Sequence, residues 1–259
     1  MLLLREPSRP PAWSERRRQC RTIWAIPFHK LEWCLQWIAW ALGNWALLEV
    51  LEYLGTFSVL IAVIFYFAES GKRTRMRHYT AWTVINTAQG KGGSGGRIEA
   101  LEELNDDHVA LTGLDASLAF LRGVQLSHAL LTRCSLEAAD LRTSDFHDAD
   151  LSFCNLKSAN FRDTDFEDAK LSDADLNNAD LNSANLTSSD LSRTDLSSAD
   201  LRNTNLQNIH WDGIESLRLA NVYGVRNAPD GFLAFALAHG AVATASDEEW
   251  TKLQNATRQ

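Results

Sequence analysis

The sequence predicts a coil of short stacked repeats carried behind a hydrophobic helical segment, and three observations predict it. An apolar residue recurs at every fifth position from Leu111 to Trp211, and a small residue usually stands two places before it. Ahead of this region the chain from Trp33 to Ala68 is apolar almost throughout, with arginine-rich stretches on both sides.

The charge is divided in the same way. The formal net charge of -8 conceals a basic front, with 13 Lys+Arg against 7 Asp+Glu in residues 1–100, and an acidic repeat, with 8 against 17 in residues 108–212. An acidic surface disfavours non-specific nucleic-acid binding, which needs clustered Lys and Arg to neutralise phosphates. The cysteines Cys20, Cys34, Cys134 and Cys154 form no CxxC pair, so a zinc site or redox motif is not indicated. They read as thiols in a reducing compartment, with Cys134 and Cys154 packed in the core as small hydrophobes and a disulfide between those two the alternative.

Residues 1–30 read as a basic, flexible segment and 31–69 as a hydrophobic membrane anchor of one or two helices. Two uncharged runs, Trp33 to Leu48 and Tyr53 to Ala68, lie near the lower length limit for a spanning helix. The second, with Leu60, Ile61, Ile64 and Phe65 inside and Tyr53 near one end, reads as a span with interfacial aromatics. In the first, Trp33, Trp37 and Trp40 share one helical face, which suits a tilted span or a helix lying in the interface, and both remain open. Arg16, Arg17, Arg18 and Arg21 precede the first run and Lys72, Arg73, Arg75 and Arg77 follow the second; if both basic flanks stay inside, the two runs form a hairpin with Glu49 and Glu52 near the outer turn. The basic stretch is followed by no short apolar core with a cleavage site, so the segment does not read as a signal peptide.

Residues 70–107 form a junction. The run from Thr74 to Gln89 reads as a helix leaving the membrane, with Trp82 and Ile85 on one face and Arg75 and Arg77 near lipid headgroups. The tract Gly90 to Gly96 lacks the GxxxxGK[ST] spacing of a phosphate loop and reads as a hinge. Residues Arg97 to Asn105 read as a short capping helix with Ile98, Leu101 and Leu104 on one side.

The repeat occupies residues 108–212. Its central positions include Leu141, Phe146, Leu151, Leu156, Phe161, Phe166, Leu171, Leu176, Leu181, Leu186, Leu191, Leu196 and Leu201. A period of five matches neither the 3.6 of a helix nor the 2 of a strand, so the chain must turn a corner once per unit. Ala174-Asp175-Leu176, Ala179-Asp180-Leu181, Ala184-Asn185-Leu186 and Ala199-Asp200-Leu201 carry the motif A(D/N)LXX and resemble the pentapeptide-repeat family. That resemblance implies a mainly β fold: a right-handed, four-sided β-helix with twenty residues per coil, about five coils in all. At about 4.8 Å per coil the rod is roughly 24 Å tall. Residues twenty apart then stack, Phe146 over Phe166 and Cys134 over Cys154. Residues 213–259 read as a helical cap, with one apolar helix after Pro229 and a second after Ser246, which has capping-box spacing to Glu249. The stretches from Leu51 to Ser70 and Val84 to Asn105 are also similar to the front of membrane-bound bacterial pentapeptide-repeat proteins.

No catalytic, cofactor-binding or metal-binding residues are read. The carboxylates recur at fixed repeat positions, where Asp and Asn favour corners through local bonds to the backbone. His108 and His128 lack the further ligands a metal needs. The expected function is a non-enzymatic, membrane-tethered scaffold on the cytoplasmic face of a bacterial membrane, with the lipid bilayer and an unidentified protein as partners and no direct nucleic acid. The resemblance also admits a second reading, because some soluble members of the family mimic duplex DNA and bind gyrase. A third is an accessory subunit of a membrane complex.

Overall fold

The structure, a computed structural model, describes residues 9–18, 26–43, 46–87 and 95–256. The chain divides into two compact units, one ending at Arg73 and the other beginning at Thr74.

The first unit is helical. Helices α1 (Trp13–Arg18), α2 (Ile26–Gly43) and α3 (Ala46–Ala68) are followed by α4 (Ser70–Thr87), most of which belongs to the second unit. Among the described residues no single helix is long and apolar enough to cross a membrane.

In the second unit, sixteen isolated parallel bridges join residues twenty apart, from Asp115 with Ser135 to Asp190 with His210. The β-structure is thus one bridging residue per side of each coil; the described residues hold no longer strand. Each unit turns through a residue of positive φ two places after the central one, from Gly113 to Gly224, and the amide of the next residue donates to the central carbonyl, as Leu114 does to Leu111. This is the hydrogen-bond and φ pattern of a type II turn. The positive-φ residue donates in turn to the coil above, as Arg133 does to Ser152 at 2.9 Å.

Inside, the repeat-core residues from Leu141 to Leu201 are no more than 1% exposed. Phe146 and Phe166 stack at 5.4 Å and 11°, with Phe161 edge-on to Phe166 at 5.1 Å. The small positions hold Ala, Ser, Thr or Cys, and the buried hydroxyls are satisfied locally: Thr164 donates to the Leu141 carbonyl at 2.8 Å and Thr204 to that of Leu181 at 3.0 Å. Cys134 and Cys154 do not stand as separate thiols; their Cα atoms are 4.6 Å apart, one coil step, and the sulfurs are joined as a disulfide.

The coil does not stop at residue 212. The bridges continue as Asp195 with Ser216, Asp200 with Asn221, Asn205 with Arg226 and Asn221 with Val242, each twenty-one apart. One residue inserted after Trp211 shifts the register, so the buried Leu217 and Val222 take the central positions in place of Ser216 and Asn221. Only then does α6 (Phe232–Ala238) close the end, with Phe232 and Phe235 packed on Trp211 at 5.6 and 4.9 Å. α7 (Asp247–Ala256) follows, and Trp250 donates from its indole to the Leu219 carbonyl at 2.8 Å.

The N-terminal end is closed by α5 (Arg97–Asp106), whose Leu101 and Leu104 are fully buried with Ile85 of α4. The first coil has no coil below it to pair with, so side chains substitute. Glu102 accepts the Gln125 amide at 2.9 Å, and Asn105 donates to the Ser127 carbonyl at 2.9 Å. Arg77, expected at lipid headgroups, instead lies 3.4 Å from Glu103 and 3.7 Å from Asp107. Beside it His78 bonds Asp107 at 2.7 Å, which lowers the Asp107 pKa. Of the expected glycine hinge, residues 90–94 lie outside the described residues, while Gly95 and Gly96 form a positive-φ turn into α5.

Candidate interaction surfaces

With its interior fixed by the repeat, the coil presents four outward faces, and each is a set of columns one coil step apart. The residue before each central one is usually Asp or Asn. Its carboxylate or amide oxygen accepts the backbone amide two residues on, as Asp145 does from His147 at 2.9 Å and Asp190 from Ser192 at 2.9 Å. That amide points outward at the corner and would otherwise depend on water, so these acids serve the turn first.

Charge is nevertheless segregated. The face centred on Leu121, Leu141, Phe161, Leu181 and Leu201 carries Arg122, Arg142, Arg162 and Arg202 in one column, balanced by Asp140, Asp180 and Asp200. Arg142 grips Asp140 through two nitrogens at 2.8 and 2.6 Å, which lowers the Asp140 pKa and raises that of Arg142. Arg202 does the same with the nearly buried Asp200, reaches Asp247 at 2.6 Å and stacks over Trp250 at 5.4 Å, pinning α7 to the coil. Its pKa is raised, chiefly by the Asp200 hydrogen bond.

The neighbouring face, centred on Leu126, Phe146, Phe166, Leu186 and Leu206, carries Asp145, Asp148, Asp165, Glu167 and Asp168 and, along these columns, no Lys or Arg up to Asn208. His128 lies here, 3.0 Å from Asp148 and ring to ring with His147 at 5.7 Å. Among the described residues no three His, Cys, Asp or Glu side chains are grouped to hold a metal. An open groove of about 370 Å³ follows the next corner, lined by Asp168, Lys170, Ser188, Asp190, His210 and Asp212. A second, of about 270 Å³, runs between Asn177, Ser197, Arg218 and Gln254 of α7. Both are lined largely by polar side chains and open to water, an arrangement that suits contact with a macromolecule better than enclosure of a reacting molecule.

Bulky apolar side chains are exposed mainly toward the N-terminal end of the coil, at Leu118, Phe120, Leu130 and Phe153, with Arg133 over the Phe153 ring at 5.9 Å. Of these, Leu130 stands out in the sequence as a departure from the small or polar pattern; the arginine column and Leu118, Phe120 and Phe153 were not singled out. The signal for the column was present as Arg122, Arg142 and Arg162 at intervals of twenty.

Of the expected anchor residues, Tyr53, Leu60, Ile61, Ile64 and Phe65 on α3 are all exposed, between 38% and 74%. Trp37 and Trp40 on α2 are half-buried, and their rings meet at 5.4 Å. Both sets belong to the first unit.

The five-residue coil geometry has a counterpart among known families: the model of the pentapeptide repeat region matches residues 129–206. The chain is a pentapeptide-repeat protein. Similar solved structures include alr5209, a pentapeptide repeat protein from Nostoc PCC 7120, at 37% identity over 40% of this chain and 84% of that one, with a TM-score of 0.36. HetL, a pentapeptide repeat protein involved in heterocyst differentiation regulation in Nostoc sp. strain PCC 7120, is 29% identical over 46% of this chain and 54% of its own, at a TM-score of 0.29. QnrB1, a plasmid-mediated fluoroquinolone resistance protein, is 17% identical over 51% and 68%, at 0.32. The chain spans about half of HetL and about two thirds of two further pentapeptide repeat structures. No curated protein sequence matches it.

Proposed function

We propose that this pentapeptide-repeat protein is a non-enzymatic scaffold tethered to the cytoplasmic face of a bacterial membrane, with its coil offered to a protein partner. The observation that carries the tether is the contrast between the units. The coil keeps its central leucines out of water, whereas α3 leaves Tyr53 to Phe67 exposed around its whole circumference. An all-round apolar helix requires a protein core or lipid around it, and the described first unit offers α3 no such core.

The uncharged run from Tyr53 to Ala68 is about 24 Å long at 1.5 Å per residue. That is short of the hydrocarbon thickness of about 30 Å, a mismatch met by local thinning and by flanking residues that reach to the interface. Arg73 makes such a reach: it bonds the Tyr66 carbonyl at 2.6 Å and lies 4.3 Å from the Tyr66 ring centre. Fractionation of cells expressing the full chain and a Leu60→Arg/Ile64→Arg variant tests the tether. The wild-type chain pellets with membranes and resists carbonate extraction, and the variant is released; equal retention of both would sink the reading.

The face that carries carboxylates and no Lys or Arg favours one other reading, a protein surface that imitates a nucleic acid and occupies a DNA-binding enzyme such as gyrase. The neighbouring Arg142, Arg162 and Arg202 weaken its field. Unchanged gyrase supercoiling at high concentrations of the protein would remove this reading.

A further inference from the structure

We infer that α2 is not a second membrane span but an in-plane helix, seated on the lipid surface by the stripe Phe28, Leu31, Leu35, Ile38 and Leu42. The inference rests on the tethered reading above and adds the geometry of attachment.

The stripe is built from spacing. Its five residues follow one another at intervals of three and four, which keeps them on a single face of α2, and all five are exposed, from 44% at Leu42 to 76% at Phe28. From Phe28 to Leu42 it runs about 21 Å along the helix.

The rest of the helix surface decides between spanning and lying flat. Trp33 donates from its indole to the Pro11 carbonyl at 2.7 Å and packs on Trp13 at 5.7 Å. Arg16 of α1 pairs with Glu32 at 3.1 Å and donates to Gln36. The Arg9 guanidinium sits 5.5 Å from the Trp37 ring and 6.0 Å from the Trp40 ring. A charged and hydrogen-bonded strap therefore runs beside α2 from Glu32 to Trp40. In a spanning orientation it would lie along the hydrocarbon centre, where such groups are costly. Rotated into the plane, the same helix puts the strap in the headgroup layer and the stripe about 5–10 Å below it, the disposition of interfacial amphipathic helices. Charge agrees: Arg9, Arg17, Arg18 and Lys30 flank the strap and complement anionic headgroups.

The test is depth measurement by nitroxide labels on the full chain in vesicles of phosphatidylcholine and phosphatidylglycerol. Single cysteines replace Leu31, Leu35, Gln36, Ile38 or, on α3, Leu60, with Cys20 and Cys34 changed to Ser, and relaxation by oxygen and by a water-soluble nickel chelate is compared. An in-plane helix gives equal, shallow lipid depths at Leu31, Leu35 and Ile38 and a water-facing Gln36. A spanning α2 gives depths that rise to a maximum near Leu35 with Gln36 equally deep, and overturns the inference. Water exposure of the three stripe labels with Leu60 in lipid also overturns it, while leaving the tether standing. Water exposure at Leu60 removes the tethered reading and this one with it.

Discussion

Replacing Phe166 with alanine tests how the coil is held together, because it removes one ring from a buried trio. Phe166 lies parallel to Phe146 at 5.4 Å and edge-on to Phe161 at 5.1 Å, and none of the three is exposed. A buried Phe→Ala change costs about 3–5 kcal/mol. Two aromatic contacts, each about 0.5–1.5 kcal/mol beyond area burial, leave with this ring, so the expected loss is about 4–5 kcal/mol. Phe166→Leu is the control. Leu126 and Leu186 occupy the same inward column two coils below and one above, so leucine fits the slot and the expected cost falls to about 1–2 kcal/mol. Guanidinium unfolding of the full chain in detergent micelles, followed by far-ultraviolet circular dichroism, reads both. The reasoning fails if alanine costs less than about 2 kcal/mol, or if leucine costs as much as alanine; either would mean the rings fill space without specific contact.

Three further outcomes follow from the corners and caps. Thr143 is a β-branched residue at φ 57 one coil above Gly123, and Thr143→Gly should raise stability by about 0.5 kcal/mol, since relief of a left-handed penalty of about 1–2 exceeds the extra entropy cost of about 0.5–1; a lower melting temperature would contradict this. Arg202→Met strands the nearly buried Asp200 and removes the strap to Asp247, so it should cost about 2–3 kcal/mol and speed amide exchange in residues 247–256 while leaving 141–181 protected; unchanged exchange in α7 would refute the strap. Asp140 and Asp173 are held below the usual carboxylate range by hydrogen bonds from Arg142 and Arg193. Their folded values lie below the unfolded ones near about 3.9, so their stabilisation is full above about pH 4 and is lost as pH falls through the lowered folded values. An Asp140→Asn/Asp173→Asn variant should show a shallower loss of stability between about pH 4 and pH 2 than wild type, and identical acid limbs would show that these pairs contribute nothing.

The central ladder was legible in the sequence because each inward position sees the same surroundings and admits only an apolar side chain. The recurrent Asp and Asn were legible for a related reason, since a corner amide needs an acceptor at the same place in every unit. Legibility ended where contacts depend on non-repeating segments. After Trp211 the fifth residue is the polar Ser216, which reads as the end of the coil; the buried Leu217 and Val222 keep the five-residue interval, displaced by one. Asn221, fully buried, donates to the Thr244 carbonyl at 2.8 Å and accepts the Thr244 amide at 3.3 Å, a clamp that no local pattern announces. Arg77 misled for a similar reason. Near an apolar segment it suits a headgroup, but its carboxylate partners are Glu103 on α5 and Asp107 just after it, beyond the glycine tract.

A coil of fixed period separates the residues that make the fold from those free to specify a partner. Inward positions and corner acceptors recur because every unit needs them, so they say little about function. The remaining outward positions, those after the central residue and at the corner, form columns in which one substitution alters one step of about 4.8 Å. Here those columns differ from face to face: Arg122, Arg142, Arg162 and Arg202 on one, and Ser127, His147, Glu167 and Thr187 with His128, Asp148 and Asp168 on the next. Corner geometry alone cannot produce that difference, because all four faces meet the same backbone demands. The arginines are largely engaged with carboxylates of their own face, which brings that face close to neutrality, while its neighbour carries Asp145, Asp148, Asp165, Glu167 and Asp168 without Lys or Arg and so holds the largest share of the repeat's negative charge. A basic protein surface would therefore meet the coil along one side, over a strip several coils long, and charge reversals there should weaken capture where equal reversals on the arginine face do not.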